Sequence, residues 1–241
     1  MSVVKNRSKV QYKVQRRKNR KRISLRITDD ALVLVSVPYS TPSSVIEDVI
    51  SENSEWIKTR VAQVLQLPSP LPAHTYTTGD CFLVLGEEHI LQVEHGKARV
   101  TNCSRNGTTL IVKTRKGAGE TAIRKAIETW YATFGNELYE KLVTRWLSII
   151  EEPPKIKLTT VEIASYPKRW GSCSQKGELR FALRSLMLPQ SLIDYVALHE
   201  VGHLYYFNHS PEFKLFLETY MPDWRERQKT MNLLRRQVAV I

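Results

Sequence analysis

Two histidines and a glutamate near residue 200 have the types and spacing of a catalytic metal site. His199, Glu200 and His203 form the pattern H-E-x-x-H. Residues i and i+4 of a helix lie on one face about one turn apart, so two imidazoles with this spacing can bind one metal ion. Glu200 lies beside that face, where its carboxylate can contact a water molecule activated by the metal. The pattern predicts a zinc-dependent hydrolase with Glu200 as general base.

The pattern alone also occurs by chance, on helices whose histidines bind nothing. Ile193, Val196 and Ala197 give the preceding turn an apolar face, which predicts a packed helix. Histidines on a packed helix need partners. This context favours the metal site.

A catalytic zinc usually has three protein ligands and one open position. His209 follows His203 by six residues, and Phe207-Asn208 between them can end the helix and let the chain turn back. His209 is therefore the predicted third ligand of one Zn²⁺ per chain. The alternative ligands are two carboxylates and a thiol: Glu212, Glu218 and, more weakly, Cys173.

Hydrolysis also needs a group that stabilises the negative charge developing on the substrate oxygen. Arg169 is the candidate, because a guanidinium stays charged and makes paired hydrogen bonds. The alternative is that Arg169 and Trp170 only brace their loop.

Hydrophobic spacing and the positions of Gly and Pro predict the elements that position these residues. Strand patterns occupy residues 10–14, 23–27 and 32–37, and a strand pair within 9–26 is one arrangement of the first two. A helix with Thr41 as its N-cap and Pro42 at its first position should end near Leu67. Short strands are predicted at 81–85, 89–93 and 109–112. Long helices are predicted at about Glu120–Ile150 and Leu192–Tyr205, the second carrying His199 and His203.

This order predicts an α+β chain in three parts. Residues 1–67 are strands plus a helix, residues 73–118 are β-rich, and residues 119–241 form the catalytic part. The stiff segment Pro68–Pro72 separates the first two.

Composition narrows the functional class. Three cysteines among 241 residues argue against a disulfide framework and a Cys-rich zinc site. No apolar run reaches the roughly 20 residues of a membrane-spanning helix, and no apolar segment follows the basic start. We therefore expect a cytoplasmic protein with no membrane partner.

The formal net charge of +12 is concentrated at the start of the chain. Residues 1–26 contain eleven Lys or Arg and no acidic residue. One interpretation is a solvated strand face. The other is a docking surface for nucleic acid or acidic protein. Tyr12 is the only aromatic residue there, so phosphate contact is more natural than base stacking.

The sequence resembles the YgjP-like metallopeptidases, which are related to the SprT and WLM groups among zincin-like proteins. The resemblance is carried by H-E-V-G-H and the H-S-P-E-F segment at His209–Phe213, and by R-W-G-S-C-S at Arg169–Ser174. Further matching segments are Ser185–Pro189, Ile193–Val196, Met221–Trp224, Arg16–Leu25 and Trp56-Ile57.

This resemblance implies a zincin-like fold, one zinc, hydrolysis of a protein or peptide substrate, and the same ligands and base at His199, His203, His209 and Glu200. The sequence departs from the usual pattern of the family at Gly202, which costs a helix about 1 kcal/mol relative to Ala. It also departs at Phe181-Ala-Leu, which bears on substrate preference. Two alternatives remain: a zinc hydrolase of another amide or ester, and a nucleic-acid-associated module with a structural zinc. Glu200 argues against the second, because a structural site needs no base.

Overall fold

Strands and helices occur in both units of the computed structural model, as expected for an α+β chain. The structure describes residues 3–5, 11–28, 31–66, 73–166, 168–235 and 237–238. Contacts divide the chain into unit 1, Met1–Ser69, and unit 2, Pro70–Ile241. In the described part, no helix combines the length and apolarity needed to cross a membrane.

Unit 1 packs a sheet against two helices. Its strand order is β1-β2-β4-β3. Strand β4 lies between its neighbours because Val33, Val35 and Val37 are buried against Ile46 and Ile50 of the helical layer. The elements are β1 (Val3–Lys5), β2 (Gln11–Arg17), β3 (Ser24–Ile27), β4 (Val33–Pro38), α1 (Ser43–Glu52) and α2 (Ser54–Leu65).

Three predictions for unit 1 were wrong. Strands β2 and β3 do not pair with each other, because the apolar β4 lies between them, parallel to β2 and antiparallel to β3. The single predicted helix is two, divided at Asn53, whose side chain donates to the Val49 carbonyl at 2.7 Å. The N-cap residue of α1 is Pro42 and not Thr41. The predictions for Val10, Leu67 and residues 68–72 fall outside the described residues.

Unit 2 contains two three-stranded sheets and four α-helices in its described residues. Strand β7 has residues of β6 on both sides, since Val93 and Cys103 both lie opposite Val112. The elements are β5 (Cys81–Val84), β6 (Glu87–Asn106), β7 (Thr109–Arg115), α3 (Glu120–Ile149), β8 (Thr160–Ala164), β9 (Gly171–Cys173), β10 (Glu178–Ala182), a 3-10 turn (Leu183–Met187), α4 (Gln190–Tyr205), α5 (Pro211–Tyr220) and α6 (Trp224–Leu234).

Helix α3 organises the core of unit 2. Its Tyr139 ring stacks on Phe181 of β10 with ring centroids 3.7 Å apart. Its Trp146 donates through Nε1 to Asp194 of α4 at 2.8 Å, and Arg145 contacts the same carboxylate. These contacts fix α4 on the core. Residues 73–118 share this core with the later helices, and their status as a separate domain stays a prediction.

Candidate metal centre

Helix α4 brings His199, Glu200 and His203 together, and most of its residues from Leu192 onward are buried. The rings of His199 and His203 have centroids 5.0 Å apart. Such proximity follows from their spacing of one helical turn. The helix predicted at Leu192–Tyr205 is observed at Gln190–Tyr205.

The connection between α4 and α5 brings His209 back to the same place. Helix α4 ends at Tyr205, and Ser210 caps α5 by accepting from the Phe213 backbone N–H. His209, between them, has its Nε2 3.0 Å from Nε2 of His199. The ligand atoms of His199, His203 and His209 all lie within 4.8 Å of one another.

The buried ring of Phe213 packs against all three imidazoles. Its centroid lies 5.1 Å from that of His199, 4.6 Å from that of His203 and 5.0 Å from that of His209. The first turn of α5 therefore supplies both the cap that follows His209 and an apolar contact that holds the imidazoles.

The three imidazoles fit a zinc ion in chemistry and spacing. Two nitrogens about 2.0–2.1 Å from a tetrahedral zinc lie about 3.3 Å apart, close to the observed separation of the His199 and His209 nitrogens. His203 Nδ1 lies 3.1 Å from the Tyr206 carbonyl. Donation there leaves Nε2 free to bind metal, as second-shell hydrogen bonds commonly do.

Burial also favours the metal-binding form of these side chains. It lowers the pKa of His199 to about 3, with the charges of His203 and His209 acting in the same direction. It lowers the pKa of His203 as well. An imidazole must be neutral to bind a metal, so this environment favours the form of His199 and His203 that can bind one.

The alternative ligands are placed elsewhere. Glu218 accepts from the Trp224 indole N–H at 2.9 Å and from Arg225. Glu212 is exposed, and Cys173 is a free, half-buried thiol whose pKa burial raises to about 11. None of these three belongs to the histidine cluster found among the described residues.

Glu200 is buried, and it lies against the backbone of Gly171. Burial raises the pKa of its carboxyl group to about 8, which the charge of Arg169 partly opposes. A Cβ on Gly171 would lie 2.6 Å from both Cγ and Oε1 of Glu200. The loop expected around Arg169 and Trp170 leads directly into β9, which begins at Gly171. Only glycine at 171 leaves room for the carboxylate.

A cavity of about 310 Å³ opens beside this cluster. His199, Glu200 and His209 line it together with residues 169–171, and Gln228, Met231 and Asn232 of α6 form part of its wall. Tyr195 is buried and also lines the cavity, with its hydroxyl hydrogen-bonded to Gln228.

The Arg169 side chain is exposed at this cavity. Its guanidinium carbon lies 5.3 Å from the Tyr166 ring centroid. The neighbouring Trp170 is half-buried, and the buried Arg184 lies 4.2 Å over its ring. Trp170 thus packs against the core, whereas Arg169 is exposed and lines the cavity.

Sequence considerations missed three parts of the site: Gly171, Phe213 and the wall from α6. Gly171 belongs to the R-W-G-S-C-S segment and Phe213 to the H-S-P-E-F segment. Their positions in these two motifs are the sequence signal that could have identified them. The residues of α6 carry no such signal, because their role depends on how α6 packs on α4.

Comparison with known proteins identifies one family. The family model described as YgjP-like, metallopeptidase domain, matches residues 21–233, which is most of the chain. Neither the curated proteins nor the solved structures gave a significant match.

Proposed function

The chain belongs to the YgjP-like metallopeptidase family, and from this premise we propose that it is a zinc-dependent peptidase. Membership implies a metal-dependent hydrolase. The observation that carries the finer proposal is the convergence of His199, His203 and His209, with His199, His209 and the buried Glu200 lining one cavity.

His199, His203 and His209 are the proposed ligands of one zinc ion. When bound, zinc supplies Lewis-acid activation of water, lowering its pKa toward about 7. Three protein ligands leave the open coordination position that a catalytic site needs and a structural site lacks. This favours the hydrolase over the binding module with a structural zinc.

Glu200 is the proposed general base. Its carboxylate accepts a proton from the attacking water and passes it to the leaving amine. A pKa near the working pH suits both transfers. Arg169 and a cation held by the histidines both favour the carboxylate form, against the effect of burial. Gly171 leaves room for this carboxylate, because a Cβ at that position would lie 2.6 Å from Glu200 Oε1.

Arg169 is proposed to contact the substrate. Its exposed guanidinium lines the cavity, and its charge acts on Glu200. A cation at this position can stabilise an oxyanion that develops next to the base. The competing role is bracing, for which its contact with the Tyr166 ring is the available evidence.

A peptide substrate is supported by strand β9, which lies at the edge of the sheet β8-β10-β9. It pairs with β10 through Gly171 and Phe181 on one side. Its other side has no strand in the described residues. An extended peptide can add to such an edge by backbone hydrogen bonds, which would place its carbonyl groups near Glu200.

The test measures zinc and hydrolysis in the same preparations. We expect about one zinc per wild-type chain and loss of most of it in His203→Ala, with His95→Ala, an exposed histidine of β6, as matched control. Glu200→Gln should keep its zinc and fold and lose about 10²- to 10⁴-fold in kcat, because Gln cannot accept a proton. Substrates are a panel of unfolded proteins, amides and esters, assayed with and without DNA.

Each outcome bears on a separate part of the proposal. Full zinc content in His203→Ala would remove the ligand assignment. Turnover at the wild-type rate by Glu200→Gln would show that Glu200 is not the general base. Cleavage of esters or small amides without cleavage of any protein would establish the non-peptide alternative. The predicted nucleic-acid partner is a separate question, because the residues proposed here for hydrolysis do not require it.

A further inference from the structure

The sheet of unit 1 has one apolar face and one polar, basic face. Tyr12 and Val14 of β2 belong to the apolar cluster beneath α1 and α2. Successive side chains of a strand point to opposite faces, so Lys13, Gln15 and Arg17 lie on the other face. The same alternation places Leu34 of β4 and Arg26 of β3 there.

The strand register aligns these residues across the sheet. Lys13 lies opposite Leu34, and Leu34 lies opposite Arg26. Two strand spacings therefore separate Lys13 from Arg26, about 9–10 Å. Arg17 donates to the Gln15 side chain at 3.2 Å, consistent with their common face.

The connection from β2 to β3 extends this positive region. Lys18, Lys21 and Arg22 are exposed in it. Arg20 holds the connection in shape by donating to the Arg22 carbonyl at 2.7 Å and to the Ser24 hydroxyl at 2.5 Å. Its guanidinium is thus used within the fold.

Arg16 also has a structural role, because its guanidinium donates to the carbonyls of Tyr39 and Thr41. We define the basic face by the six remaining cations: Lys13, Arg17, Lys18, Lys21, Arg22 and Arg26. None of them forms an ion pair within the part of the chain that the structure describes.

Charge in unit 1 is divided between the sheet and the helices. The acidic residues of its described part lie in the helical layer: Glu47, Asp48, Glu52 and Glu55. Because none of the described carboxylates of unit 1 belongs to its sheet, the six cations produce a field of one sign, which attracts polyanions.

We propose that the basic face binds double-stranded nucleic acid through its phosphates. Within β2, β3 and β4, Leu34 is the one large apolar residue placed on this face, whereas protein partners require a desolvated apolar or aromatic centre. These three strands place no aromatic residue on it, and binding of single strands relies on aromatic stacking. Protein–DNA interfaces are polar and strongly positive, as this face is.

The experiment uses the full-length chain and a short labelled DNA duplex over a series of salt concentrations. The test variant is Lys13→Gln/Arg26→Gln, and the matched control is Lys58→Gln/Arg60→Gln on α2, which removes the same two residue types and the same charge. The slope of log K against log salt is negative, and each lost phosphate contact makes it shallower by about 0.9. The slope of the test variant should therefore be shallower than that of wild type by about two units. The control should retain the wild-type slope.

Three results would overturn the proposal. The first is that the wild-type chain does not bind the duplex at low salt, whether or not it binds poly-glutamate. Another is an equal loss in the test and control variants, which would mean that net charge alone matters. The third is tighter binding of the single strand than of the duplex. Melting temperatures establish that both variants are folded, and the measurement is independent of hydrolysis.

Discussion

The contact between Gly171 and Glu200 makes the most specific prediction about catalysis. Gly171→Ala introduces a methyl group 2.6 Å from Cγ and Oε1 of Glu200 and 2.7 Å from Cδ. Favourable contacts between carbon atoms lie at about 3.5–4.0 Å, so the groups must separate by about 1 Å. The Glu200 carboxylate moves most readily, because it is the free end of a flexible side chain.

The size of the effect follows from this displacement. A misplacement of about 1 Å in a catalytic group can cost about 10²-fold in rate. We therefore expect kcat to fall by about two orders of magnitude. Overpacking costs about 1–3 kcal/mol in general, and we expect the lower end because the carboxylate yields. Zinc content should be unchanged, since Glu200 is not a proposed ligand.

The assay compares kcat, zinc content and melting temperature of Gly171→Ala with those of wild type. Gly96→Ala is the matched control, since a Cβ there meets nothing within 4 Å. Its kcat and zinc content should equal those of wild type. Wild-type kcat in a folded, zinc-loaded Gly171→Ala protein would refute the idea that this glycine positions the base.

Two further predictions concern Arg169 and pH. Arg169→Lys keeps the charge and loses the planar guanidinium, so a substrate-contacting Arg169 predicts lower kcat at unchanged melting temperature; a lower melting temperature with unchanged kcat would favour bracing. Folding lowers the pKa of His199 from 6.5 to about 3, so the unfolded chain binds more protons between these values. The metal-free protein should lose stability as pH falls through that window, measured by denaturant unfolding. The His199→Asn variant should lose less stability over the same pH range. An equal loss would contradict the attribution of this pH dependence to His199.

The parts of the site that follow from local chain geometry were predictable. His199, Glu200 and His203 need only a helix to come together, and their spacing indicates one. The return of His209 needs a helix end and a short turn, which Phe207-Asn208 and the Ser210 cap make plausible.

The parts that depend on long-range packing were not predictable. Gly171 meets Glu200 only because β9 packs against α4, and the two residues are 29 positions apart in the sequence. The central position of β4 was missed for a related reason. Periodicity identifies the buried face of a strand but does not reveal which strands lie beside it. The sequence was therefore compatible with pairing of β2 and β3, which the structure does not contain.

Gly202 shows how a locally unfavourable residue can serve the site. In a helix interior it costs about 1 kcal/mol relative to Ala. A Cβ there would lie 3.0 Å from Phe213 Cε2 and from Phe216 Cε1, so glycine lets α5 approach α4 closely. That approach brings Phe213 against all three imidazoles. The helix therefore has lower intrinsic stability at a position where a side chain would hold α5, and with it Phe213, away from the histidines.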